Sequence, residues 1–179
     1  LIAISCIIMG AGIPTTATYI ILVAVAAPAL AQLGIEPLVA HFFVFYYGVL
    51  ADITPPVALA AYAASGIAKS NPFKTGNTAF RLGIAKALVP FVFVYSPSLL
   101  LITGEFQTNQ LIITLIGTLI GIALIGIAFS GYWFRPLKKF EQIIIGIGSL
   151  FFVAPGIESM VVGLLITLPM LFFQFSKKN

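Results

Sequence analysis

Asp52, Thr54, Pro55 and Pro56 lie inside an apolar region that runs from Leu38 to Ala68, long enough to cross a bilayer. Adjacent prolines remove two backbone donors and clash with the preceding turn, so a continuous helix cannot pass through them. A charge such as that of Asp52 costs about 2.5–3.5 kcal/mol near the bilayer centre on insertion scales. A plain lipid anchor needs neither feature. Irregular backbone at membrane depth persists only where protein buries it or where it lines a cavity, so Leu50 to Val57 reads as a transport site on a broken helix. A second interruption comes forty residues earlier. There the apolar arm Leu1 to Met9 stops at Gly10-Ala11-Gly12-Ile13-Pro14, where glycine permits a tight turn and Pro14 suits the start of a new helix.

Each break supplies both kinds of helix end. Helices that begin near Pro14 and Pro55 aim free N–H groups and partial positive charge into the membrane, which suits a substrate carboxylate. Segments that end at Met9, Gly10 and Ala51 offer free carbonyl oxygens, which suit Na⁺. Thr15, Thr16, Thr18 and Thr54 add hydroxyl oxygens beside these ends. The candidate substrate and ion ligands are therefore Gly10, Gly12, Pro14, Thr15, Thr16, Asp52, Thr54, Pro55 and Pro56, with Met9, Gly10, Ala51 and Thr54 as the Na⁺ set. Structural readings stand beside these. A Pro-Pro kink can be purely architectural, Asp52 can cap the next helix or face water, and Thr15 and Thr16 can cap the helix after Pro14. His41, among Phe42, Phe43, Phe45, Tyr46 and Tyr47, reads as a packed interfacial histidine.

The elements that hold these residues follow from composition. The chain has 179 residues, 60% hydrophobic and 8% charged. Polar surface could not cover such a chain in water, so its solvent is lipid and its class is an all-α integral membrane protein. The net charge of +4 sits in a few clusters and carries topology rather than a nucleic-acid signal. Cys6 is the only cysteine, which excludes an internal disulfide and argues against a thiol metal site. The first residues, Leu-Ile-Ala-Ile-Ser, already lie in an apolar run, which suggests a fragment of a longer polytopic protein.

In chain order, the spacing predicts a helix over Thr15–Leu33 (about 28 Å long) and half-helices over Leu38–Leu50 and Val57–Ala68. A basic interfacial segment follows at Lys74–Lys86, read as a contact with lipid headgroups, and then a span over about Ala87–Ile102. Thr103–Gln110 reads as a polar loop, and Leu111–Phe134 as a charge-free span. Its Gly117 and Gly121 would let another helix pack closely. The final apolar stretch, Phe140–Phe175, divides at Pro155-Gly156. Loops alternate between basic (Lys69–Lys86, Arg135–Lys139, Lys177–Lys178) and non-basic (34–37, 103–110, 154–159). The basic loops and the C-terminus are then expected to be cytoplasmic, with residues 34–37 outside and both breaks deep. That order makes Leu1–Leu33 a re-entrant hairpin.

Met9-Gly10-Ala11-Gly12-Ile13-Pro14-Thr15-Thr16, followed by Ala51-Asp52-Ile53-Thr54-Pro55-Pro56-Val57-Ala58-Leu59 and Ala64-Ser65-Gly66-Ile67-Ala68, resembles the large permease subunit of TRAP (tripartite ATP-independent periplasmic) transporters. The fused permeases paired with TAXI-type solute-binding proteins look closest. The likeness covers about Leu1–Ile102, and the helices from Leu111 onward are generic. The resemblance implies a Na⁺-driven importer of small organic acids in the bacterial inner membrane, working by an elevator motion. It implies that residues 1–103 are the second of two inverted repeats of the transport domain, with hairpin tip 10–16, broken helix 38–68, and interfacial segment and span 74–102. Residues 104–179 would be additional C-terminal transmembrane helices. Partners on this reading are a periplasmic solute-binding protein, the remaining N-terminal part of the permease and the lipid bilayer, with Na⁺ as coupling ion and no other cofactor. Many members of the family have glycine where Asp52 stands, so the chain departs from the pattern there. A repeat without its mate would not transport alone.

Three other readings compete. One is an organic-anion/Na⁺ symporter of the wider ion-transporter superfamily that uses no binding protein. Another is a non-catalytic structural membrane subunit held by its glycine face. The third, a membrane enzyme using Asp52 or His41, lacks a second carboxylate or a nucleophile–base arrangement.

Overall fold

The computed structural model describes residues 1–101 and 108–176. The chain forms two compact units, Leu1–Val94 and Tyr95–Asn179. Among the described residues, four helical stretches are long and apolar enough to cross a membrane: Thr15–Gln32, Pro72–Tyr95, Thr108–Ser130 and Ile157–Gln174. The protein is an all-α, multi-pass integral membrane protein.

The first unit opens with a helical hairpin, α1 (Ile2–Gly10) and α2 (Thr15–Gln32). At the end of α2 the chain reverses. The N–H groups of Leu33 and Ile35 both return to the Leu30 carbonyl, and Gly34 takes a left-handed φ of +78°, so the last carbonyls find partners before the chain leaves. Pro37 then occupies the first turn of α3 (Pro37–Ala51), where its missing N–H costs nothing. Leu22, Ala26 and Leu30 recur at every fourth position of α2, which places them on one face. They bury against Ala40, Phe43, Val44, Tyr47 and Leu50 of α3, with Cys6 of α1 completing the core. In lipid this contact is driven by van der Waals packing rather than by escape from water.

Beyond the break, α4 (Leu59–Ile67) leads to α5 (Pro72–Gly83), a 3-10 turn at Ile84–Leu88 and α6 (Val89–Tyr95). The Asn71 side chain accepts the Lys74 N–H and starts α5. Gly76 and Gly83 let α5 lie close to Tyr62 and Ile53, while Lys74, Asn77, Thr78, Arg81 and Leu82 stay exposed. Edge-to-face ring pairs, Phe43 with Phe91 and Phe42 with Phe93, bind α3 to α6. The Tyr47 hydroxyl adds a 2.7 Å hydrogen bond to the Ala87 carbonyl.

The span expected over 87–102 is not one helix. It stops at Tyr95, because Pro97 drives Ser96 out of helical geometry (φ −141°, ψ 72°) and the chain continues as a short 3-10 turn, Pro97–Leu100. Ile102 and Thr103–Gln107 lie outside the described residues. Thr108, Asn109 and Gln110, expected in the polar loop, form the first turn of the next helix instead.

The second unit contains α7 (Thr108–Ser130), α8 (Lys139–Val153) and α9 (Ile157–Ser176). The expected span to Phe134 ends four residues sooner. Gly131 has φ +74°, a conformation that closes a helix, and its N–H still caps Ile127. Gly117 and Gly121 pack against α8: a Cβ at Gly117 would sit 2.7 Å from the Phe152 carbonyl oxygen, and one at Gly121 2.8 Å from Val153 Cγ2. Gly148 and Gly163 play the same part between α8 and α9. Leu124, Ala128, Leu137, Ile145 and Phe152 form the core. At the α7–α8 turn, Arg135 makes a two-point ion pair with the buried Glu141 (2.7 and 3.3 Å), whose carboxylate also takes the Lys138 N–H at 2.7 Å. The division at Pro155-Gly156 falls between α8 and α9, with Ser159 bonding back to the Ala154 carbonyl. Lys177 and Lys178 lie outside the described residues.

Candidate functional site

The end of α1, the start of α2 and the end of α3 converge. Gly10 is buried among them: a Cβ there would lie 2.8 Å from Thr18 Cγ2 and 3.0 Å from Ala51 Cβ, so only a hydrogen fits. Two residues on, Gly12 turns the chain at φ +83°, and a Cβ there would meet Val57 Cγ1 at 3.0 Å. The hairpin tip thus touches both sides of the 52–58 break.

One polar contact joins them. The Thr15 hydroxyl donates to Asp52 Oδ2 at 2.6 Å, across 37 residues of sequence. This settles two alternatives raised by the sequence. Helix α2 has Pro14 at its N-cap and no side-chain cap, so neither Thr15 nor Thr16 closes its own helix. Asp52 stands at the C-cap of α3, and α4 begins at Ala58 without a side-chain cap. The Asp52 side chain therefore does not cap α4. It is the Asp52 main-chain oxygen that accepts the Ala60 N–H, at 3.1 Å.

The other candidates fall around this contact. The Thr54 hydroxyl donates to the Leu50 carbonyl at 2.7 Å, so its oxygen presents lone pairs only. The Ala51 carbonyl already accepts the Thr54 N–H at 3.1 Å, and the Gly10 carbonyl the Ile13 N–H at 3.4 Å. Each keeps a second lone pair. Met9, Pro14, Thr16 and Pro56 are exposed, and Thr15, Asp52, Thr54 and Pro55 half-buried. The Pro55–Pro56 peptide bond is cis. Among the described residues no three His, Cys, Asp or Glu side chains cluster as metal ligands.

Thr18 differs from its neighbours. Only 1% exposed, it donates to the Ile13 carbonyl at 3.0 Å and holds the tip from behind. Three residues support the site, of which Gly48 and Tyr62 escaped the sequence reading. Val57 covers Gly12, Gly48 gives Thr18 room, and the Tyr62 hydroxyl bonds the Pro56 carbonyl at 2.6 Å. An aromatic residue with a hydroxyl six residues after a proline break is the signal that would have found Tyr62. His41 Nδ1 pairs with the Tyr19 hydroxyl at 2.7 Å, and the two border an open hollow of about 370 Å³ with Leu38, Phe42 and Phe45.

A helical hairpin whose tip is held against the break of a second membrane helix defines a multi-pass membrane protein with a built interior discontinuity. A family comparison specifies it further: the profile described as tripartite ATP-independent periplasmic transporter, DctM component, matches residues 1–108. The chain belongs to that family, a family of transporters and not of enzymes. No curated protein and no solved structure matches the chain.

Proposed function

We propose that this chain is the second inverted repeat, with additional C-terminal helices, of a Na⁺-coupled permease that imports small organic acids by an elevator motion. A periplasmic solute-binding protein of the TAXI type delivers the substrate, and a first repeat outside this chain completes the site. The protein works in the bacterial inner membrane with its basic loops and C-terminus in the cytoplasm. The observation that carries this reading is the meeting of the two breaks: Gly10 against Ala51, Gly12 against Val57 and Thr15 bonded to Asp52. At that point the first turn of α2 begins without a side-chain cap, so its N–H groups and the positive end of its dipole face a substrate carboxylate. On this reading the carbonyl oxygens of Met9, Gly10 and Ala51 and the Thr54 hydroxyl are the hard oxygen ligands offered to Na⁺.

The test is uptake of radiolabelled pyruvate, succinate and 2-oxoglutarate by the complete permease in proteoliposomes, with and without its binding protein and an inward Na⁺ gradient. The expected result is uptake of at least one acid that requires both the gradient and the binding protein. Uptake indifferent to Na⁺ would overturn the coupling. Uptake that needs no binding protein would favour a symporter of the wider superfamily.

A further inference from the structure

The turn between α7 and α8 carries charge and orphaned polar atoms that the two breaks do not use. Helix α7 has 23 residues, about 34 Å at 1.5 Å per residue, which outreaches a hydrocarbon core of about 30 Å. Its end at Ser130 therefore stands at headgroup level. The residues that follow fit that depth. Tyr132 and Phe140 are exposed, and Trp133 stacks on Phe134 at 5.6 Å; Tyr and Trp gather where a membrane meets water.

Charge on this turn is unevenly spent. Glu141 is the one acid between Ser130 and Gln142, and Arg135 takes both its oxygens while the Lys138 N–H adds a third bond. Lys138 and Lys139 are exposed, and the ion pair found among the described residues is Arg135–Glu141. Once that pair cancels, two positive charges remain at the surface. A second observation lies beneath them. The Phe173 ring, near the end of α9, sits 5.6 Å from the guanidinium carbon of Arg135. The next residue, Gln174, is fully buried beside Glu141, yet its amide makes no well-formed hydrogen bond. Arg135 Nε, Gln174 Nε2 and Gln174 Oε1 are all buried without a partner. Such atoms are rare in folded proteins, and a bound group is one of the reasons for them. Two of the three are N–H donors, which call for an acceptor, and the third is an acceptor, which calls for a hydroxyl or similar donor.

We infer that the α7–α8 turn binds an anionic phospholipid with a hydroxylated headgroup. The phosphate accepts from Arg135 Nε and Gln174 Nε2, a headgroup hydroxyl donates to Gln174 Oε1, and Lys138 and Lys139 supply the charge that draws the lipid in. A zwitterionic lipid brings a cation of its own to two lysines and fits less well. Because the three orphaned atoms are closed off by their neighbours, the headgroup enters as the last turn of α9 shifts away from Arg135. This site is independent of where the transported substrate binds.

The experiment delipidates the complete permease in detergent and counts, by native mass spectrometry, the dioleoyl lipids that it takes up in a titration. Phosphatidylglycerol is the probe, and phosphatidylcholine and phosphatidylethanolamine are the references. The wild type should bind phosphatidylglycerol at least tenfold more tightly than either reference, and equal binding of the three overturns the inference. The double variant Lys138→Gln, Lys139→Gln changes exposed side chains only and should lose that preference. Gln174→Leu removes the orphaned amide, so it should fold at least as stably as wild type and still lose at least threefold in phosphatidylglycerol affinity. A wild-type preference retained in either variant overturns the inference. Lys74→Gln on α5 tests whether any exposed lysine matters equally. It should bind like wild type, and a loss as large as that of the double variant removes the special role of the turn. Free glycerol phosphate at the lipid's concentration should not compete, and displacement by it would assign the site to a soluble anion instead.

Discussion

The two breaks of the first unit and the helix contacts of the second use glycine and polar atoms in opposite ways. In the first, Gly10 and Gly12 stand between helices, at a turn whose backbone takes φ +83°, and the polar side chains beside them bond across the gap. In the second, Gly117, Gly121, Gly148 and Gly163 stand inside continuous helices and bring backbones together. Its buried ion pair, Arg135–Glu141, sits at a turn between helices and is further satisfied by the Lys138 N–H. The buried Glu141 carboxylate, held by Arg135 and the Lys138 N–H, ties that turn together. The half-buried carboxylate of Asp52, bonded to a single hydroxyl, keeps capacity for a ligand. The contrast sets the unit that holds the proposed site beside the glycine-packed helix contacts described in the second unit.

Substitutions sharpen the contrast, and the largest effect belongs to the hairpin tip. Gly12→Leu forces a side chain into left-handed backbone and against Val57, and uptake should fall more than a hundredfold while the amount of folded permease stays near wild type. Equal losses of uptake and of folded protein would mean the tip is architecture like the rest. In the second unit the pattern should reverse. Arg135→Ala leaves the Glu141 carboxylate buried without its partner, a change that costs about 3–5 kcal/mol. Thermal unfolding of the solubilised permease should shift down markedly, with uptake per folded molecule unchanged.

A smaller effect is expected at Thr54. Replacing it with alanine removes one oxygen ligand and should raise the Na⁺ concentration for half-maximal uptake about tenfold, equivalent to about 1.4 kcal/mol, with little change in stability. A titration of uptake against Na⁺ decides it, and an unchanged midpoint would remove Thr54 from the ion set. The smallest belongs to Tyr19→Phe. This variant loses one hydrogen bond to His41, worth about 0.5–1.5 kcal/mol, and should lower stability slightly without altering the pH profile of uptake. A changed profile would give His41 a role in transport.

The breaks themselves were legible in the sequence because proline and glycine act locally. Pro55-Pro56 and Gly10-Ala11-Gly12-Ile13-Pro14 concentrate helix-breaking residues locally, and the helices begin and end there. That the two breaks touch was not legible, since it depends on how α1 and α2 pack on α3 through Leu22, Ala26, Phe43 and Tyr47, a matter of side-chain fit over long separations. The capping alternatives for Thr15 and Asp52 are not what the structure shows, for a related reason. Threonine and aspartate at a helix edge usually bond their own backbone, and here Thr15 and Asp52 find each other instead because the tip is pressed against the break. Two further helix ends, at Tyr95 and Ser130, fall earlier than expected. The turn signals at Ser96-Pro97 and Gly131 were present but lay within apolar runs that favoured a longer span.

The most direct test of the account asks whether one ligand covers both breaks. Thr16→Cys on the hairpin tip and Val57→Cys at the break, each in the complete permease with its other cysteines removed, are alkylated by a membrane-permeant maleimide with and without Na⁺ and substrate. Thr78→Cys on the exposed face of α5 serves as the reference. The account predicts that Na⁺ and substrate together slow labelling at Thr16→Cys and Val57→Cys in parallel and leave Thr78→Cys unchanged. Labelling unaffected at both positions, or protection at only one of them, would contradict a single site built from the two breaks.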